Sequence, residues 1–150
     1  MPLFSGKFYY TLDSKGRIIV PSPLRDAIFT YYSPKLHITN DIFEKSLHIY
    51  PQEEWNKIEE KVRRMPKMQQ AVKIYMRRVI SSAVEVEMDK QGRLLVPASL
   101  REDAGLTSEI VIVGQGERIE LWDRKEWDAA TDISGVDQVA VATALEVYGV

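Results

Sequence analysis

At 150 residues, with 45% hydrophobic and 28% charged residues and a net charge of −2, the chain has the size and balance of one ordinary globular unit. It contains no cysteine, which excludes disulfides, thiolate metal sites and thiol nucleophiles. No run of about 18 apolar residues offers a membrane span, and the N-terminal residues 1–7 lack the apolar core of a secretory signal, so a cytoplasmic product is expected.

The small net charge hides a division. Residues 1–78 carry 14 Lys+Arg against 8 Asp+Glu, a net of +6, while residues 79–150 carry 6 against 14, a net of −8. Such an asymmetry suggests a surface that meets a polyanion. Opposite charges holding the halves or neighbouring subunits together would explain it equally well.

In chain order, residues 7–12 read as a strand with Phe8, Tyr10 and Leu12 on one face. Next comes Asp13-Ser14-Lys15-Gly16-Arg17-Ile18-Ile19-Val20-Pro21, which recurs at a shift of 76 as Asp89-Lys90-Gln91-Gly92-Arg93-Leu94-Leu95-Val96-Pro97. Both copies are Asp-x-x-Gly-Arg, three aliphatic residues and Pro. Both continue with Leu-Arg-acid, Leu24-Arg25-Asp26 and Leu100-Arg101-Glu102. The chain is therefore built from two copies of one module. In the second copy the leading strand alternates Val84, Val86 and Met88 with Glu85 and Glu87.

The aliphatic triplets read as second strands ended by Pro21 and Pro97. Ser22 is expected to cap a short helix with Pro23 at its first position; the twin helix runs from Ser99 to a stop at Gly105. Two further strands close each module: residues 35–39 and 47–50, then 109–113 and 118–122, with Gly114-Gln115-Gly116 as the second turn. The shift falls to 72 by Leu47/Ile119 and Trp55/Trp127, which is read as four residues lost between helix and hairpin. Residues 52–80 predict two basic helices broken at Met65-Pro66, and a helix is expected over 139–148. The modules span 5–51 and 81–127, with a helical insert at 52–80 and a tail at 128–150.

No reactive constellation accompanies this pattern. His37 and His48 sit on strands without a second ligand at metal spacing. Asp13 and Asp89 each lie beside an arginine that keeps a carboxylate ionised, which suits a general acid poorly. No strand–GxGxxG–helix context exists. The chain is thus not expected to be an enzyme, and no cofactor, metal or small-molecule substrate is expected.

In the repeated loop, Asp13, Gly16, Asp89 and Gly92 have a structural explanation: the acid caps a tight turn and the glycine supplies a positive φ. That explanation covers the cations less well. A Lys and an Arg projected from a hairpin tip bind at reduced entropic cost, and an Arg there can take a phosphate or guanine bidentately.

Paired Asp-x-x-Gly-Arg-x-x-x-Pro motifs, the intervening Tyr50-Pro51 and Glu54-Trp55, and the stretch from Arg77-Arg78 to Ser82-Ala83 resemble the MraZ family of bacterial transcriptional regulators. The likeness covers residues 1–130. The resemblance implies an α+β, mainly β fold: two pseudo-symmetric, intertwined βαββ modules of the AbrB/SpoVT type forming one barrel-like core, with the helical insert between them. It also implies a ring homo-oligomer, cytoplasmic and nucleoid-associated. Such a ring binds short direct repeats in double-stranded DNA upstream of its own gene, in the division and cell wall gene cluster. The family's DNA-contacting loop carries over onto Lys15 and Arg17. Lys90, Arg93, Arg77 and Arg78 are candidates for a secondary contact to DNA or to a neighbouring subunit. The competing readings are a nucleoid-type ring without sequence preference and an oligomeric scaffold with no DNA role.

Overall fold

The computed structural model describes residues 3–150. The first module contributes β1 (Lys7–Thr11), β2 (Arg17–Ile19), α1 (Ser22–Tyr31), β3 (Lys35–Asn40) and β4 (Ser46–Pro51). The insert holds α2 (Gln52–Arg63), α3 (Gln70–Tyr75) and a π-helical turn, Met76–Ile80. The second module repeats the order as β5 (Val84–Glu87), β6 (Arg93–Leu95), α4 (Ala98–Asp103), β7 (Glu109–Gln115) and β8 (Arg118–Asp123). Then come α5 (Arg124–Thr131) and α6 (Gln138–Glu146).

Neither module closes its own sheet. The six-stranded antiparallel sheet runs β1-β7-β8-β4-β3-β5, so each module lends its first strand to the hairpin of the other. β2 and β6 pair separately as a two-stranded ribbon. A pseudo-dyad follows from the register: Ile18 pairs with Leu94 in the ribbon and His48 with Glu120 in the sheet, and in both pairs the partners occupy equivalent positions of the two copies.

The alternation of the strands supplies the core. Leu36, Ile38, Leu47 and Ile49 from one module meet Ile110, Ile112, Ile119 and Leu121 from the other, and Ile18 and Leu94 close over them from the ribbon. The opposite sheet face is covered by helices that each follow a hairpin. Trp55 of α2 stacks on His37 at 5.2 Å and Trp127 of α5 packs edge-on to Trp122 at 5.6 Å.

Several expectations are refined. The modules interlock as implied, but the sheet stays open rather than closing into a barrel, and helical residues outnumber strand residues. As edge strands, β1 and β5 leave Tyr10 and Val84 exposed at 39% and 37%. Pro21 and Pro97, not serines, occupy the helix cap positions, and no side chain bonds to either helix start. The prolines already hold the extended backbone that a cap needs, with ψ of 141° and 142°.

The four-residue loss divides in two. Leu36 and Ile110 face equivalent partners, Pro51 and Asp123, at a shift of 74. Two residues therefore go before the hairpin and two within its turn, which is Gly116-Glu117 because β7 continues through Gln115. α6 lies over residues 138–146, and every residue from 131 to 150 is exposed. No helix among the described residues is long and apolar enough to cross a membrane.

Candidate nucleic-acid interface

The two repeated loops are built alike, bond for bond. Asp13 Oδ1 accepts from the amides of Lys15 (2.9 Å) and Arg17 (2.8 Å), and Oδ2 accepts from Arg17 Nε (2.8 Å). Asp89 does the same with Gln91 N (2.9 Å), Arg93 N (2.9 Å) and Arg93 Nε (2.8 Å). The aspartate thus forms the turn with its side chain, the role for which a short carboxylate is favoured there. These donors hold both carboxyls below the ordinary aspartate value of 3.8; the largest cause is the backbone amide of Arg17 or Arg93, with the arginine side chain adding to it.

Gly16 and Gly92 complete the turns at φ 83° and 79°, a region that side chains with a Cβ avoid. Their N–H groups donate to Asp13 O and Asp89 O, both at 3.0 Å. Each loop is consequently a small unit that fixes the guanidinium of its arginine by Nε, and neither Nη group has a hydrogen-bond partner among the described residues. Arg17 and Arg93 keep 34% and 40% of their side-chain surface exposed.

The ribbon places these units together. Arg17 pairs opposite Leu95 and Arg93 opposite Ile19, so all four side chains share the outer face while Ile18 and Leu94 point inward. Strand geometry puts the two arginine Cα atoms about 8 Å apart. Lys15 and Lys90 are both exposed on the flanking turns.

Arg77 and Arg78 lie elsewhere. They sit on the π-helical turn beside the β3–β4 turn, in a cleft shared with Asp41, Glu44 and Asp103, and Arg78 Nε donates to Ile42 O at 2.5 Å. The insert also uses part of its own positive charge: Lys57 pairs with Glu54 at 2.9 Å and Arg64 with Glu60 at 3.1 Å.

The histidines are structural in their surroundings. His37 Nε2 is 2.7 Å from Gln52 Oε1. His48 is buried beside Asp41 and Glu120, and burial, followed by the nearby Arg118 charge, pushes its pKa below 6.5. No cluster of three or more metal-ligating side chains occurs among the described residues.

Two arginines outside the Asp-x-x-Gly-Arg motif, Arg25 and Arg101, approach the loops. A Cβ added to Gly16 would collide with the guanidinium of Arg101, and one added to Gly92 would lie 2.7 Å from Arg25 Cδ and 2.8 Å from its Nη1. The signal was present in the sequence as the repeated Leu-Arg-acid. Only the antiparallel ribbon shows which loop each arginine reaches.

Two interleaved ββαββ modules meeting at a ribbon with an Asp-x-x-Gly-Arg turn at each end define a tandem AbrB-like protein. The family model described as "MraZ protein, putative antitoxin-like" matches residues 3–77 and 79–138, and the chain belongs to the MraZ family. Among its relatives, proteins named "Transcriptional regulator MraZ" share 41% identity over 130 residues in Nitrosomonas europaea, covering 87% of each chain. In Acetivibrio thermocellus identity is 33% over 148 residues, covering 99% of this chain and all of that one. The relative from Halothermothrix orenii reaches 36% with the same coverage. The solution structure of PHS018 from Pyrococcus horikoshii aligns with a TM-score of 0.33 and 17% identity over 81% of this chain and 89% of that one, a likeness too slight to carry an argument.

Proposed function

We propose that this chain is a DNA-binding transcriptional regulator that engages DNA through the outer face of the β2–β6 ribbon. Lys15 and Arg17 are the principal contacts, and Arg93 and Lys90 the secondary ones. The observation that carries this reading is the fixed guanidinium of Arg17, held by Asp13 through Nε (2.8 Å) with no partner on its Nη groups among the described residues. A preorganised fork at an exposed tip suits phosphate oxygens or a guanine edge and loses little freedom on binding. The relatives' shared name, transcriptional regulator, supports the same reading.

One ribbon carries few cations, so a single chain would bind DNA weakly and with strong salt dependence. Several copies on tandem sites would multiply affinity without new contacts. Two features support assembly. α6 is apolar nearly all round, with Val139, Val141 and Leu145 exposed at 77%, 46% and 41%, and a helix of that kind is normally buried. In addition, β1 and β5 each keep one free edge, which another copy can pair with or cover. These features support self-assembly; that the assembly is a ring homo-oligomer acting on short direct repeats upstream of its own gene, in the division and cell wall gene cluster, we propose from the family resemblance.

The test is a footprint and affinity measurement on that upstream duplex. Evenly spaced protection is expected. Loss of a charge-assisted contact in Arg17→Ala should weaken binding by about tenfold or more while leaving the oligomer intact. Equal affinity for unrelated duplexes would instead establish a ring without sequence preference. Full affinity in Arg17→Ala would refute the assignment of this loop.

A further inference from the structure

Each DNA-facing loop is completed by the module to which it does not belong. The antiparallel ribbon sets the start of β2 beside the end of β6. The helix that follows β6 therefore begins next to the first loop, and the helix that follows β2 begins next to the second. The backbone records this exchange twice: Val96 N donates to Gly16 O at 2.9 Å, and Val20 N donates to Gly92 O at 2.8 Å.

The side chains repeat it. Arg101, in the first turns of α4, lays its guanidinium against Gly16, and Arg25, at the same place in α1, lies against Gly92 with its Cδ and Nη1 where a Cβ would stand. Both arginines follow their own module's glycine by nine residues, yet each covers the glycine of the other module. Neither enters any ion pair among the described residues. Arg101 Nε is buried without a hydrogen-bond partner. A buried donor left unpaired carries a cost, so the position is not explained by the stability of α4 alone.

We propose that Arg101 and Arg25 are positioning residues, each clamping the glycine turn of the opposite module so that the two DNA-facing loops are held in one fixed relation. This rests on the reading of the loops as the DNA contact. The physical basis is packing: a flat guanidinium fits against a glycine face that has no side chain, and it fills the space through which the turn would otherwise relax. It also explains why glycine is required at Gly16 and Gly92 for a second reason besides their positive φ. The clamp links the modules at the one place where their arginines must be presented together.

Hydrogen exchange on the intact protein separates this from a direct DNA contact. In Arg101→Ala the amides of Lys15, Gly16 and Arg17 should exchange roughly tenfold faster, with residues 89–93 unchanged. Arg25→Ala should do the reverse. Affinity for the upstream duplex should fall in Arg101→Ala, and the same substitution should cost less in an Arg17→Ala background, where only Lys15 remains for the clamp to position. Unchanged exchange at residues 13–17 overturns the clamp. So does a loss of affinity that simply adds to that of Arg17→Ala, which would make Arg101 a contact of its own. Full recovery of affinity in Arg101→Lys with the loop still exchanging fast would likewise show that charge, not packing, is what matters. If Arg17→Ala itself binds normally, the DNA reading of the loop falls, and the exchange result still decides the clamp.

Discussion

The two Asp-x-x-Gly-Arg loops have the same turn, the same aspartate bonds within 0.1 Å and an equivalent covering arginine, Arg101 or Arg25, yet different chemistry at the tip. The first presents Lys15 and Arg17 and is entered from Lys7, Tyr9 and Thr11. The second presents Lys90, Gln91 and Arg93 and is entered from Glu85 and Glu87. The register narrows that contrast, because Glu109 stands opposite Thr11 and Lys35 opposite Glu87. The net charges of +6 and −8 for the two halves of the chain therefore overstate the difference at the ribbon itself. The comparison teaches that the repeat preserves a geometry while the side chains presented at its tip are free to differ.

Replacing the glycines breaks the comparison most severely. Gly16→Ala must accommodate a Cβ at φ 83° and displace the Arg101 guanidinium. Such a left-handed position costs about 1 kcal/mol or more on substitution. Gly92→Ala meets the same backbone strain at φ 79° but a lesser overlap, 2.7 Å from Arg25 Cδ. Thermal melts should show losses of similar order for the two proteins, the larger in Gly16→Ala. Affinity for the upstream duplex should not be equal: at least about tenfold lower in Gly16→Ala and only a fewfold lower in Gly92→Ala. Equal losses of affinity would show that both loops contact DNA to the same degree.

A gentler change asks whether Gln91 is what separates the copies. Because Gln91 N already donates to Asp89 Oδ1 at 2.9 Å, as Lys15 N does to Asp13, Gln91→Lys should leave the turn intact and make the second loop resemble the first. Salt titration of binding should then steepen by about 0.9 in log–log slope for each new phosphate contact. Lys15→Gln should flatten it by the same amount. A Gln91→Lys protein with an unchanged slope would mean that the second loop does not approach the DNA backbone.

Much of this arrangement was legible because it is local. The aspartate turn, the strands that end at Pro21 and Pro97 and the break at Met65-Pro66 depend on neighbours in sequence, and residue type alone predicts them. What depends on distant pairing was not legible. Nothing in residues 7–12 says that β1 will join β7 rather than β3, since either hairpin could bury Phe8. The destination of Arg25 and Arg101 follows from that same exchange, so their role was hidden although their repetition was visible. Their distance from the ribbon could not be read for Arg77 and Arg78 either; the turn between β3 and β4 that holds Arg78 is contributed from 36 residues away.

The smallest effect is expected on the pseudo-dyad itself, where the two copies carry different side chains. His48 and Glu120 face one another there, and two identical residues would have placed like groups in contact. His48 Nε2 lies 3.0 Å from Asp41 Oδ1 and 3.5 Å from Glu120 Oε2, but without the alignment of a hydrogen bond. Two carboxylates would favour an imidazolium, yet Glu120 is already engaged by Arg118 at 2.8 Å and by Trp122 Nε1 at 3.0 Å. Burial and the Arg118 charge then prevail, and the histidine is held neutral with its pKa below 6.5. The unfolded chain consequently binds the proton more readily, so stability is at its fullest above pH 6.5 and declines as pH falls from there towards the lowered native value. Burial raises the pKa of nearby Glu44, which acts in the opposite sense, but only closer to its ordinary value of 4.5. Melting curves between pH 7.5 and 5.5 should thus show a fall on acidification in the unmodified protein and a flatter profile in His48→Gln. Parallel profiles would mean that the imidazole titrates no differently in the folded chain than in the unfolded one.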